Sequence, residues 1–513
     1  MTSAVLAGLE LAVSGRATEI DAAAGLLCSL GVRRSDPDHA HVLLADESCA
    51  PPAAGPRAVL RRHPATADLV GVPDGAVEYA TGLALAAAAL AAHLGGTDVT
   101  VPALDAAAQL FLPPVMAAAY GSDRWPIPRP PMPAPGGGWV SAELGAPGDD
   151  DSFDALLGTL PPDIDAAGLA VAAQEWRLPV CNYRSRVAPS APVEPMRALT
   201  DAPADDGLPV VRRELGRAPL DGVKVIDLTA MWAGPLCTWL LARLGADVVK
   251  VEPAVRLDGI RAFDGGGVHP GGRSDAPGYD SALFNALNNT KRAVDIDLRD
   301  NSGRDRLLGL VEDADLVVDS FSPRVMPNLG LTPAALAAVN PGLLTLSIPA
   351  FPPGPNRDWV AYGTGAHALS GLGDTGSGVS EPAVTYPDPI CGLTAAVAAL
   401  AGLVGRSLGR PPARLEVSLL SASLPLLNRV RDSGRVARRD PDLGRSLFGL
   451  LLSDPESLLS LDVAASAPGR AGRGPGSDSN ATDGRALPHP AGPFRGVCVA
   501  ATGPPDPPSG AVR

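Results

Sequence analysis

Between residues 219 and about 430, short apolar runs alternate with longer amphipathic segments, the pattern of strands alternating with helices in a parallel sheet. VKVIDL (223–228) predicts a buried strand, and Gly234-Pro235 opens a helix to about Leu244, with proline suited to a first turn. Further strands are predicted at 247–251, 293–298, 316–319, 343–348 and 414–418, with helices at about 302–313, 333–339 and 391–407. The fold class expected is α/β: a parallel Rossmann-like sheet flanked by helices, with a smaller α/β domain.

Residues 1–195 read as Ala-rich helical material, a Pro-rich stretch at 125–138, and then a small α/β unit. A linker is expected at 196–217, the large domain at 218–430 and a helical remnant at 431–464. From 465 to 513 large apolar residues are too sparse to offset the entropy of ordering, so a disordered low-complexity tail is expected.

Composition narrows the function. The 513 residues are 46% hydrophobic but only 4% aromatic, with 57 Gly and 54 Pro, which suits small, closely packed helices beside long loops. The net charge of -14 argues against nucleic acid as a partner, since such a surface must neutralise phosphates, and any anionic ligand then needs a local basic pocket. The first 15 residues lack the basic flank and long apolar core of a secretory signal. ATGLALAAAALAAHL (80–94) is short for a membrane span and alanine-rich, so it predicts a buried helix rather than a membrane anchor. Six scattered cysteines show neither a CxxC pair nor metal-ligand spacing, which suits a reduced cytoplasm. The run DGGGVHPGG (264–272) lacks the spacing of a nucleotide-binding loop.

The segment PLDGVKVIDLTAMWAGPLCTWLLARLGADVVKVEP (219–253) resembles the opening of the class III CoA-transferases. The likeness continues through FNALNNTKRAVDIDLR (284–299), DADLVVDSFSPRVMPNLGL (313–331), NPGLLTLSIPAF (340–351), AYGTGAHALSGL (361–372) and YPDPICGLTAAVAALAGLVGR (386–406). In the last of these the family places its catalytic aspartate four residues before a helix-opening glycine, which here gives Asp388 ahead of Gly392. The resemblance implies transfer of coenzyme A from an acyl-CoA to a small carboxylic acid. Asp388 would attack the thioester, and an aspartyl-CoA thioester would form by way of a mixed anhydride. It implies no metal and no permanently bound cofactor, coenzyme A being substrate, and it places the nucleotide near Arg261, Lys291, Arg292, Ser320, Phe321 and Trp232.

Three positions depart from the family pattern. Trp232 stands where formyl-CoA transferases carry a glutamine, Asn328 replaces a basic residue of the adenine loop, and Tyr362 replaces the histidine of the racemase branch. The third favours transfer over an α-methylacyl-CoA racemase, and His367 reads as a helix or core histidine. A catalytically inactive CoA-binding partner subunit is the remaining alternative.

VEYATGLALAAAALAAHLGGTDVTVPALDAAAQLF (77–111) resembles the stretch that begins VTYPDPICGL, placing Glu78 where the second copy has Asp388. Residues 1–195 are therefore expected to be a degenerate rear half fused ahead of a front half. The family forms interlocked dimers, so a homodimer is expected, with the alternative that the fused chain interlocks within itself.

Overall fold

The computed structural model describes residues 5–429 except 16, 50–54, 63–65, 67–71, 73–74, 120–127, 146–147, 188–193, 200–217, 263–281 and 411–413, together with 446–447 and 450. The expected tail, almost all of the linker and the helical remnant, and the glycine-rich run lie outside the described residues.

The N-terminal region departs from the helical expectation, because it builds a parallel sheet of its own. Its elements are β1 (Glu10–Ser14), α1 (Thr18–Ser29), β2 (Arg33–Arg34), β3 (Val42–Asp46), β4 (Arg57–Arg61), α2 (Ala76–Gly95), β5 (Val99–Pro102), α3 (Ala103–Leu110) and α4 (Leu112–Ala119). The strands pair in the order β2-β1-β3-β4-β5. Each is a short run such as VLLAD, easily read as loop beside the long alanine helix that follows.

A small domain comes next, with β6 (Met132–Pro133), β7 (Trp139–Ala142), α5 (Asp149–Leu157), α6 (Ala166–Glu175) and β8 (Val180–Asn182). Its three antiparallel strands and two helices close their own apolar core around Val140, Phe153, Leu169 and Val180.

The large C-terminal region opens with β9 (Arg197–Leu199), β10 (Lys224–Leu228), α7 (Ala233–Arg243), β11 (Asp247–Val251), α8 (Ala282–Asn288), β12 (Arg292–Val294), α9 (Asn301–Val311) and β13 (Leu316–Asp319). It continues with α10 (Val325–Asn328), α11 (Pro333–Val339), β14 (Leu344–Ser347), α12 (Gly363–Ser370), α13 (Pro387–Ser407), β15 (Arg414–Glu416) and α14 (Leu419–Ser423). The sheet runs β12-β11-β10-β13-β14-β15-β9, all parallel but for the edge strand β9. The α/β class with a parallel, helix-flanked sheet is therefore as the sequence predicts, and β11, β13 and α11 fall at the predicted bounds.

The two parallel sheets share order and register. Glu10 pairs with Arg33 as Lys224 pairs with Asp247, and Leu11 with Val42 as Val225 with Leu316. Leu43 faces Arg57 as Val317 faces Thr345, and Ala58 faces Val99 as Leu346 faces Leu415. The strand set β2-β1-β3-β4-β5 thus repeats as β11-β10-β13-β14-β15.

The helices repeat too. In each unit a long apolar helix, α2 or α13, crosses the first helix at a glycine. A Cβ on Gly82 would stand 2.7 Å from the Ala22 methyl, and one on Gly392 would stand 2.6 Å from the Ala233 carbonyl oxygen. Both long helices are apolar on nearly every side and pack against each other at the centre of one continuous core. Each is long and apolar enough to cross a membrane, but α13 is wholly buried in its apolar window and α2 is 83% so, which makes them core helices.

Candidate active site

Parallel α/β sheets place ligand sites at the carboxyl ends of their strands, where the following helices begin. In the large region that edge holds the turn after β10, the loop after β13 and the first turns of α12 and α13.

Asp388 is the second residue of α13. The helix starts at Pro387, earlier than the sequence pattern suggests, because prolines in a first turn remove N–H groups that have no partner inside the helix. Gly392 therefore does not open the helix; it is the contact point with α7. Asp388 is 8% exposed. Its carboxylate lies against Gly363, the first residue of α12, so closely that an added Cβ there would overlap Oδ2. Burial raises the Asp388 pKa well above the ordinary carboxylate range and the nearby Glu143 raises it further, while the Gly363 N–H and Thr385 oppose them.

The turn from β10 to α7 is held at four backbone groups. Asp227 Oδ1 accepts from the Thr229 N–H at 2.9 Å, and Lys250 Nζ donates to the Thr229 carbonyl at 2.8 Å. Ser320 Oγ accepts from the Ala230 N–H at 3.0 Å, and Asp258 Oδ1 accepts from the Met231 N–H at 2.8 Å. These contacts keep Met231 at φ 68, a conformation a side-chain-bearing residue seldom adopts. Two buried ion pairs support the turn, Lys250–Asp258 at 3.1 Å and Lys291–Asp227 at 2.9 Å. Burial pushes the Asp227 carboxyl up, but Lys291 and Lys250 outweigh it and hold the group at about 2.

Trp232 follows the turn. It is 6% exposed, and its indole Nε1 has no hydrogen-bond partner among the described residues. The Ala233 carbonyl beside it meets α13 at Gly392, one turn from Asp388.

The residues expected to line a nucleotide pocket fall into distinct places. Lys291 donates to Asp227, to the Pro235 carbonyl and to Asn288, so its ammonium serves the turn from below. Ser320 and Phe321 follow β13 at the carboxyl edge, Ser320 engaging Ala230 while Phe321 packs on the second apolar layer. Arg261 makes a two-pronged pair with Glu252 at 3.0 and 2.7 Å and stacks on Phe284, 3.3 Å from its centroid. Arg292 is the exception and a correction. Its guanidinium pairs with Asp247 at 2.7 Å, at the amino end of β11, so the structure does not bring it to the edge that holds Asp388. His367 is a core histidine as expected: it contacts Tyr386 Oη at 2.7 Å and the Ser380 carbonyl at 2.9 Å, and burial lowers its pKa to about 4.

Sequence reasoning missed Lys250, Asp258 and Glu143. A lysine inside the apolar strand DVVKV was a usable signal, since a buried charge needs a partner. Glu143 gave none, because only the fold brings it near residue 388.

Residues 220–443 match the model of CoA-transferase family III. The likeness to that family lies in this segment. A formyl-CoA:oxalate CoA-transferase from Rhodopseudomonas palustris is 33% identical over 224 residues, covering 42% of this chain and 50% of the relative. Another from Afipia carboxidovorans is 32% identical over 258 residues, covering 49% of this chain and 58% of the relative. The chain thus spans about half the length of the curated relatives it matches. A solved CAIB/BAIF family protein from Brucella suis is 29% identical, covers 43% of this chain and 60% of its own, and superposes with a TM-score of 0.38. The family III segment takes in the whole sheet except β9, the pinned turn and Asp388; the N-terminal unit and the small domain lie outside it.

Proposed function

We propose that the chain moves coenzyme A from an acyl-CoA to a carboxylic acid through an aspartyl-CoA thioester on Asp388. The observation that carries this reading is a buried carboxylate in the first turn of α13, at the carboxyl edge of the matched sheet. A carboxylate oxygen of Asp388 attacks the thioester carbonyl, forming a C–O bond as the C–S bond breaks and CoA leaves as thiolate. The thiolate then attacks the Asp388 carbonyl of the mixed anhydride, releasing the donor acid as carboxylate and leaving the aspartyl-CoA thioester. The acceptor carboxylate reverses both steps. The Gly363 N–H at the start of α12, which lies against the Asp388 carboxylate, is suited to the oxyanion that forms on Asp388.

Ser320 and Trp232 border this edge and support a nucleotide site there, while Lys291 and Arg261 are paired with Asp227 and Glu252. The repeated sheets support a second part of the reading, that the chain is a fused repeat whose N-terminal unit occupies the place of a partner subunit. Glu78 then has a structural position rather than a catalytic one. A cytoplasmic homodimer is the assembly proposed.

The test is a panel of acyl-CoA donors against isotope-labelled carboxylic acids, with wild type and Asp388→Ala. Label appearing in acyl-CoA with wild type alone supports the reading. Loss of α-deuterium without an acceptor acid supports racemisation instead, and CoA binding with no turnover across the panel supports an inactive partner.

A further inference from the structure

The small domain is docked onto the segment that leads into the site. The Gln174 side-chain amide accepts from the Val360 N–H at 2.7 Å and donates to the Val360 carbonyl at 2.8 Å, in the manner of a paired strand. The Arg184 N–H donates to the Ala368 carbonyl at 3.0 Å, and a Cβ on Gly365 would stand 3.0 Å from Cys181 Sγ. These contacts bring the residue after β7, Glu143, over the first turn of α12. Its carboxylate faces the backbone of Tyr362, Thr364 and Gly365, while the Asp388 carboxylate lies on Gly363 between them. Two carboxylates from distant parts of the chain thus converge on four consecutive residues.

We propose that Glu143 activates Asp388 as a like-charged neighbour. The idea rests on Asp388 being the nucleophile. A free Asp388 carboxylate beside Glu143 is held at high energy by repulsion and by poor solvation, whereas the acyl anhydride and the thioester on Asp388 are neutral. The first attack removes a negative charge from that spot and carries it off on the thiolate, and the thiolate's charge then leaves on the released acid. The repulsion therefore drives attack without Glu143 forming any bond. Glu143 is a positioning and activating residue in this scheme.

The surroundings fit that role. Burial raises the Glu143 pKa to about 7, opposed by Thr364, Gly365 and Tyr362. The other groups that interact with the pair are Cys181, Tyr183, Tyr362 and Cys391, and burial raises the pKa of all four. Arg184 acts on Cys181 and Arg256 on Tyr362, while Asp149 and Glu381 add negative charge around Tyr362 and Tyr183.

The test measures the rate of adduct formation on Asp388 against pH, with a donor acyl-CoA and full-length wild type, Glu143→Gln and Glu143→Asp. Removing the charge lets Asp388 ionise more easily and makes it a weaker nucleophile. Glu143→Gln is therefore expected to shift the acidic limb about one pH unit lower and to lower the plateau about tenfold, with partial recovery of both in Glu143→Asp. A plateau and a limb unchanged in Glu143→Gln overturn the proposal. So does a loss of rate with no shift of the limb, which is what a purely structural residue gives. No adduct in wild type overturns instead the assignment of Asp388 as nucleophile.

Discussion

The carboxylate of Asp388 rests on the α-carbon of Gly363, so the first residue of one helix serves as the floor for the proposed nucleophile on another. Only a residue without a side chain fits there. Gly363→Ala is expected to push the carboxylate aside and lower adduct formation at least about a hundredfold, because displacements of about an ångström at a reacting group cost that much. Rates of adduct formation, with thermal unfolding as the control for folding, check it.

Asp388 should lower the stability of the fold it sits in. Its folded pKa lies above the unfolded one, so the folded chain holds the proton more tightly and stability falls as pH rises from the ordinary carboxylate range. Asp388→Asn has no such proton to lose. The variant is expected to melt above wild type at pH 8, with the gap closing toward pH 4, as read by thermal unfolding across that range.

His367 acts in the opposite sense. Its folded pKa of about 4 lies below the unfolded value near 6.5, so the unfolded chain takes up the proton first on acidification. The stability this histidine provides is present above pH ~6.5 and is lost as pH falls toward 4, by at most ~3 kcal/mol. Urea midpoints between pH 7 and 4.5 should fall more steeply in wild type than in His367→Asn.

The Lys250–Asp258 pair is buried to 2% and 1% side-chain exposure and holds both the Thr229 carbonyl and the Met231 N–H. Lys250→Met leaves the Asp258 charge without its partner, which costs about 3–5 kcal/mol. Under conditions where the variant is still folded, adduct formation should also slow, because the strained Met231 turn that sets Trp232 loses one of its four ties and Asp258, which holds another, loses its ion-pair partner. Denaturant unfolding together with single-turnover rates separates the two effects.

The large sheet was legible because its strands are apolar runs closed by charges, as in DVVKV and LVVD, and its helices carry clear starts such as Thr332-Pro333. The start of α13 was misjudged because Pro387 and Pro389 look like loop, although a first turn tolerates both. The likeness of the stretches around Glu78 and Asp388 pointed to a repeat, but the strands ELAVS, VLLAD and RAVLR are too short for their periodicity to show that the repeat is a whole sheet. Side-chain partnerships stayed hidden: Arg292 looked like a free cation until Asp247 was found beside it, and Glu143 met Asp388 only through the docking of Gln174 on Val360.

Gln174 offers a check on that docking. Gln174→Leu leaves the Val360 N–H and carbonyl without their partner at a cost of about 1–3 kcal/mol. It is expected to loosen Glu143 from α12 and to move the acidic limb of the pH profile in the same direction as Glu143→Gln.

On the proposed reading Asp388 becomes covalently acylated. Wild type incubated with acyl-CoA and then treated with hydroxylamine should show, by peptide mass spectrometry, the hydroxamate of Asp388, and Asp388→Asn should show none. Turnover of acyl-CoA with an unmodified Asp388, or the same modification on another carboxylate in the Asp388→Asn variant, would contradict the account.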